Sequence, residues 1–302
     1  MRTLICGSMA YDTIMVFHDR FKNHILPDQL HILNVAFHVP DMRREYGGCA
    51  GNIAYSLRLL GGEPLIMATV GEDSGPYLQR LERLQLDRSH IQEVPSTFTA
   101  QAFITTDLDD NQITAFHPGA MNFSHLNHVA DAQGLTIGIV APDGREGMMQ
   151  HAQEFHDAGV PFIFDPGQGL PLFSGGELLN FLQLADYCCV NDYEARLLSE
   201  KTGKPIGELA GLVDALVVTL GANGAEIHAG GQRRVGPQRG EHMRRRRPAG
   251  TGQGIADEAF VAQAACGKLL PQCGNREVGR HRHASGPRCG GCMRSGQTFQ
   301  IS

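Results

Sequence analysis

An α/β fold with a mostly parallel central sheet and a small accessory β sheet is what this 302-residue chain predicts. Short apolar runs of strand length alternate with segments of helical periodicity from residue 119 to about 220, the pattern of a sheet built through helical crossovers. Several of the runs, such as ALVVTL at 215–220, are apolar throughout, which suits strands buried on both faces. Polar or glycine residues, among them Asp12, Asn191 and Gly221, fall just past strand ends, where open α/β sheets hold ligands.

The first strand is the apolar TLIC at 3–6, which stops at Gly7 and Ser8 and leads to Asp12. A carboxylate there can bind ligand hydroxyls or serve a turn. The stretch YGGCAGNIAYSLRLLGG at 46–62 couples a glycine turn to a helix over 49–60, because Ala50, Ile53, Ala54, Leu57 and Leu60 recur on one face. Gly47 and Gly48 let backbone approach a ligand, and Asn52 in the first turn can donate and accept. A plain structural turn fits this stretch equally well.

PLIMATVG gives the next strand and 75–84 a short helix with Leu78, Leu81 and Leu84 on one side. Two excursions, 13–45 and 98–117, contain short strand-like pieces, the second a hairpin around Leu108 to Asn111, and together predict a small β lid. The later alternation predicts strands at 135–140, 161–164, 186–190 and 215–220, helices near 145–158, 176–184 and 192–200, and a return strand at 225–228.

Asn191 to Glu194 follows a strand and opens a helix. The pair can form a reciprocal capping box, or it can face phosphates and organise a hydrated magnesium ion. Thr219 to Ala225 is a second glycine-bearing turn, in which the Thr219 hydroxyl and backbone amides can cradle phosphate and Gly224 permits reversal. Neither GxxxxGK[ST] nor GxGxxG is present at these turns, so the site is assembled from separate segments, and a dinucleotide oxidoreductase is disfavoured.

The formal charge of −6 conceals a division. Residues 233–302 carry 13 Lys and Arg against 4 Asp and Glu, and residues 1–232 carry 13 against 28. The N-terminal MRTLICGS has no signal-peptide pattern and no run approaches membrane-spanning length, so a cytoplasmic location without membrane contact is expected. Cys6, Cys49, Cys188 and Cys189 lack metal-like spacing and read as buried reduced thiols.

In this order, GSMAYD at 7–12, YGGCAGN at 46–52, TAFHPGAM at 114–121, FDPG at 164–167, NDYE at 191–194 and VVTLGANG at 217–224 resemble the ribokinase-like, or PfkB carbohydrate kinase, family in its adenosine- and nucleoside-kinase branch. The resemblance covers residues 2 to about 232 and implies a three-layer fold with a β lid. It implies ATP-dependent transfer of phosphate to a primary hydroxyl of a nucleoside, adenosine first, or of a furanose sugar, with Mg2+ and in addition a monovalent cation as cofactor candidates. Asp12, Gly48 and Asn52 then resemble acceptor-site residues. Asn191 and Glu194 resemble those that organise phosphate and magnesium, Glu194 through water, and Thr219, Gly221 and Gly224 part of the ATP site. A lid-mediated homodimer is a further implication.

The family's late DTxGAGD motif, which supplies the catalytic base, is absent. Its nearest counterpart runs from Gly250 to Asp257, with Ile255 in place of the Asp. Ile cannot take a proton, and Asp257 lies two residues late, about 200° around a helix, which makes it a weak candidate base. Residues 233–302 hold twelve Arg and twelve Gly, a block at Arg244 to Arg247, and Cys266, Cys273, Cys289 and Cys292 near His281 and His283. Four readings stay open for this atypical basic tail. The Arg block binds nucleic acid, the Cys and His residues bind zinc, the tail is naturally divergent, or a GC-rich gene is translated out of frame. The last accounts for more of the segment. Met243 to Arg246 can be written ATG CGG CGA CGC, whose shifted frame reads Cys-Gly-Asp, an acceptable ending for the lost motif. A family member that binds without catalysis is the main alternative to an active kinase, and nucleic-acid binding ranks below both.

Overall fold

The computed structural model describes residues 1–25 and 34–236. In chain order the strands are β1 (Arg2–Cys6), β2 (Ala10–Val16), β3 (Asp41–Gly47), β4 (Glu63–Val70), β5 (Asp87–Glu93), β6 (Ala100–Thr106) and β7 (Gln112–His117). They continue with β8 (Ile137–Val140), β9 (Phe162–Phe164), β10 (Tyr187–Asn191), β11 (Ala215–Thr219), β12 (Ala225–Ala229) and β13 (Gln232–Gly236). The main helices are α1 (Cys49–Leu59), α2 (Gly75–Arg83), α3 (Arg145–Asp157), α4 (Gly175–Leu184) and α5 (Asp192–Thr202).

Nine strands form the central sheet in the order β13-β12-β11-β10-β9-β8-β1-β4-β5. The pairings from β5 through β11 are parallel, and β12 and β13 turn back antiparallel at one edge. Alternation within each strand divides the core. Leu4, Cys6, Leu65, Met67, Val140, Cys188, Val190, Leu216 and Val218 join the buried faces of α3, α4 and α5. Ile5, Ile66, Ala68, Ile139, Cys189 and Val217 lie in the cluster that contains α1 and α2. Three layers with a mostly parallel sheet result, as the apolar runs predict.

Two strands escape the sequence pattern. β5, DRSHIQE, is at the sheet margin and largely exposed, so it lacks the apolar run of an interior strand. β13, QRRVG, is fully exposed at the other margin and crosses residue 233, where the charge composition changes. Polar edges of this kind resist pairing with other chains.

A second sheet of four strands has the order β3-β2-β6-β7. Its first strand begins at Ala10, three residues before the predicted excursion. One cross-strand row places Glu45, Asp12, Ala102 and Phe116 side by side, and the next on the same face places Arg43, Ile14, Ile104 and Thr114. Asp73, just before α2, ties this sheet to the body. It accepts from the Thr99 amide at 2.7 Å and the Gln101 amide at 3.1 Å, and its carbonyl accepts from the Tyr11 hydroxyl at 3.1 Å.

Candidate functional site

The chain runs from β1 outward to β4 and β5 on one side, and only later returns to fill β8 and its successors on the other. The boundary between β1 and β8 is therefore the place where the strand order reverses, and in such sheets a crevice opens there at the carboxyl ends. Gly7 and Ser8 end β1 at this boundary, and the Ser8 amide donates to the Pro142 carbonyl at 3.0 Å. Ser8 also receives the start of α1. Its hydroxyl accepts from the Cys49 amide at 3.2 Å and its carbonyl from the Ala50 amide at 3.0 Å.

Gly48 makes this junction possible. Its φ is 86°, and a Cβ there would sit 2.5 Å from the Ser8 carbonyl oxygen. Gly47 has a different task, because a Cβ on it would lie 2.3 Å from Asp12 Oδ2. The Asp12 carboxylate thus rests against bare backbone. Burial, and secondarily the negative charge of Glu45 across the strand pair, raises its pKa above the ordinary carboxylate value. No hydrogen bond from the described residues reaches it, so a partly buried acceptor is left for a donor from outside those residues.

Asn52 lies one turn into α1, its amide donating to the Gly48 carbonyl at 3.3 Å. Its exposed side chain lines a cavity of about 80 Å³ together with Tyr46, Tyr55, Tyr77 and Arg80. The Tyr77 hydroxyl donates to the Gly47 carbonyl at 2.6 Å and is among the groups that feel the charge of Asp12. Asp12 and Gly48 are consequently brought to one corner, with Asn52 one helical turn on, beside a cavity whose lining includes neither of them.

Asn191, Glu194, Thr219, Gly221 and Gly224 meet at a second corner. Asn191 and Thr219 are register partners at the carboxyl ends of β10 and β11. The capping box is realised in full, with Glu194 amide to Asn191 Oδ1 at 2.7 Å and Asn191 amide to Glu194 Oε2 at 2.8 Å. The Thr219 hydroxyl, buried, donates to the Val190 carbonyl at 3.5 Å. Gly221 and Gly224 take φ values of 56° and 93° to turn the chain into β12. The two corners are three strand spacings apart, about 14 Å along the sheet edge.

Between them stand the ends of β8 and β9. Asp143 follows β8 in a sequence, APDG, that the sequence reading passed over although an acid just beyond a strand is itself a signal. It is buried, its Oδ1 accepts from the Gly144 amide at 2.9 Å, and burial pushes its pKa up to about 8. Asp165 of the FDPG segment is likewise buried. The N-terminal ends of α1, α3 and α5 follow β3, β8 and β10 and open toward this edge, where helix dipoles favour negative charge. Glu45 is the other residue that sequence reasoning missed. No local signal marks it, since Tyr46 separates it from the glycine turn and its relation to Asp12 is one of cross-strand register.

Asp257, the Gly250 to Asp257 segment, the Arg244 to Arg247 block and the late Cys and His residues lie outside the described residues. Among the described residues, no group of three or more His, Cys, Asp or Glu side chains is arranged to hold a metal, and no helix is long and apolar enough to cross a membrane.

Comparison with known proteins identifies relatives of the chain. The model of the pfkB family carbohydrate kinases matches residues 8–239. A solved Burkholderia thailandensis nucleoside kinase in complex with inosine is 54% identical, with a TM-score of 0.70 over 78% of this chain and 75% of that one. The same kinase in complex with ADP-inosine is 56% identical, with a TM-score of 0.67 over 78% and 74%. A nucleoside kinase of Methanocaldococcus jannaschii is 30% identical over 198 residues, and the match spans 65% of each chain.

Proposed function

The chain belongs to the pfkB family of carbohydrate kinases, and from that premise we propose that its fold serves transfer of the γ-phosphoryl group of ATP to the primary hydroxyl of a nucleoside. The observation that carries the reading is Asp12, held against Gly47 at the reversal point of the sheet with no donor from the described residues. A ribose offers such a carboxylate adjacent hydroxyls. Ile14, Ala102, Ile104 and Phe116, partly exposed on the same face of the small sheet, offer a flat apolar ring a surface, which favours a nucleoside over a free sugar. In this reading the small sheet is a lid that shields the transfer from water.

The nucleotide corner fits a phosphate chain and a hydrated magnesium ion in its donor chemistry. Glu194 brings a hard carboxylate, Asn191 an amide, and the Thr219 to Gly224 turn its backbone. Bound there through water, magnesium would neutralise phosphate charge. The helix starts along the edge would favour the phosphoryl group in transit, and Asp12 with Gly48 and Asn52 would fix the acceptor. A monovalent cation is supported by the family alone. A cytoplasmic location would place the enzyme beside both substrates. The outer face of the lid exposes Met42, Phe103 and Ile113 and would suit a homodimer, which light scattering would measure.

The base is the weak link. The proton of the acceptor hydroxyl needs an acceptor of its own, and Ile255 stands where the family places Asp. We therefore expect binding of nucleoside and ADP by the 302-residue chain with very low turnover, which also defines the second reading, a family member that binds without catalysis. Calorimetry with inosine and ADP, paired with an ADP-production assay, tests both. Absence of nucleoside binding sinks the acceptor assignment, and robust turnover overturns the claim that the base is missing.

A further inference from the structure

Glu45 is the register partner of Asp12 across β2 and β3, so the two carboxylates project from the same face of the small sheet. Like charges directly opposite on an antiparallel pair destabilise it, by about 0.2–1 kcal/mol. The pair therefore has no rationale as a device for holding the strands together. Arg43, two residues away on that face, approaches Glu45 at 3.4 Å but is itself largely exposed, and this ion pair leaves Asp12 without a partner among the described residues. Beside the two carboxylates in the same row lie Ala102 and Phe116, and Ile14 and Ile104 follow in the next. An acidic end and an apolar platform thus share one surface, and the apolar half is what points to a ligand rather than to solvent.

We propose that Glu45 is a specificity-determining residue of the acceptor site, accepting one hydroxyl of a vicinal diol while Asp12 accepts its neighbour, so that ribosides are preferred to deoxyribosides. This rests on the nucleoside reading given above. Two carboxylates one strand apart are spaced at roughly 5 Å at their Cβ atoms, a span that adjacent ring hydroxyls can bridge with one donor to each. A ligand lacking one hydroxyl leaves a partly desolvated carboxylate without its donor, and sites built to bond a hydroxyl discriminate against the analogue that lacks it. Arg43 then acts on Glu45, holding it at the rim with its charge balanced. The role differs from that of Asp12, which is fixed by contact with Gly47 and needs no such neighbour.

The test is calorimetric binding of inosine, 2′-deoxyinosine and 3′-deoxyinosine to the full chain and to its Glu45→Gln variant, with matched thermal melts. The expected result is an inosine affinity about tenfold weaker in Glu45→Gln. For the one deoxy analogue that lacks the hydroxyl held by Glu45, the substitution makes no difference. Equal weakening for all three ligands, or none for any, overturns the assignment while leaving the acceptor site in place. Failure of the unsubstituted chain to bind any of the three overturns both.

Discussion

The corner proposed for the acceptor and the corner proposed for the nucleotide sit on the same sheet edge, and they are built in opposite ways. At the nucleotide corner the polar groups satisfy one another locally. Asn191 and Glu194 exchange two hydrogen bonds within four residues, and a Cβ added at Gly221 would meet nothing within 4 Å. At the acceptor corner, segments far apart in sequence close upon one another, glycine hydrogens are in contact with a carboxylate and a carbonyl, and Asp12 has no hydrogen-bond donor among the described residues. A site whose polar groups are already satisfied resembles ordinary structure, whereas one held open by long-range packing announces a ligand.

The sharpest break of this contrast is Asp12→Ala. Loss of the carboxylate that accepts a ligand hydroxyl removes one charge-assisted bond, worth about 1.5–3 kcal/mol. Inosine affinity should fall by about tenfold to a hundredfold in calorimetry, while ADP affinity and the melting temperature change little. A loss of less than tenfold would mean that the acceptor binds elsewhere.

Gly48→Ala against Gly221→Ala compares the corners directly. Both positions have positive φ, which costs a side chain on the order of 1 kcal/mol, but only at Gly48 does the new Cβ also strike backbone, 2.5 Å from the Ser8 oxygen. Gly48→Ala is expected to lower the melting temperature by about 10 °C or to prevent folding, and Gly221→Ala by no more than a few degrees. Equal shifts would remove the claim that the first corner is the tightly packed one.

Much of this was legible in the chain because the central sheet is buried on both faces. TLIC, PLIMATVG and ALVVTL announce strands, and the spacing of Ala50, Ile53, Ala54 and Leu57 announces α1. β5 and β13 were illegible because margin strands expose their side chains and need no apolar pattern. Asp12, Gly48 and Asn52 could be singled out from strand ends and glycines. Glu45 could not, because its relation to Asp12 exists only through a cross-strand register that joins residues 33 positions apart. Asp143 stands just past a strand and was legible as a candidate on that ground, but its burial is a tertiary property that no local pattern shows.

Asp143 tests the region between the corners. Its folded-state pKa is about 8 against an ordinary value of 3.8. The unfolded chain ionises this carboxyl above about pH 4, while the folded chain keeps it protonated until about pH 8. Its contribution to stability is therefore complete below pH 4, declines as pH rises through this window, and levels off above pH 8. Asparagine cannot ionise. The melting temperature of Asp143→Asn relative to the unsubstituted protein should increase between pH 5 and pH 8, and a difference independent of pH would show that Asp143 is already charged in the fold.

The smallest expected effect on stability belongs to Asn191, and it decides whether the nucleotide corner is more than a helix cap. Serine caps helices about as well as asparagine, and its hydroxyl can accept from the Glu194 amide as Asn191 Oδ1 does, but it is shorter and lacks the NH2 donors. Asn191→Ser should therefore leave the melting temperature within about 1 °C, whereas Asn191→Ala should cost about 1 kcal/mol. If Asn191 also faces phosphate, both variants weaken ADP binding alike in calorimetry, and serine rescues the fold without rescuing the ligand. If serine restores both, the reciprocal bonds to Glu194 are the whole of its function, and phosphate recognition at this corner falls to the Thr219 to Gly224 turn.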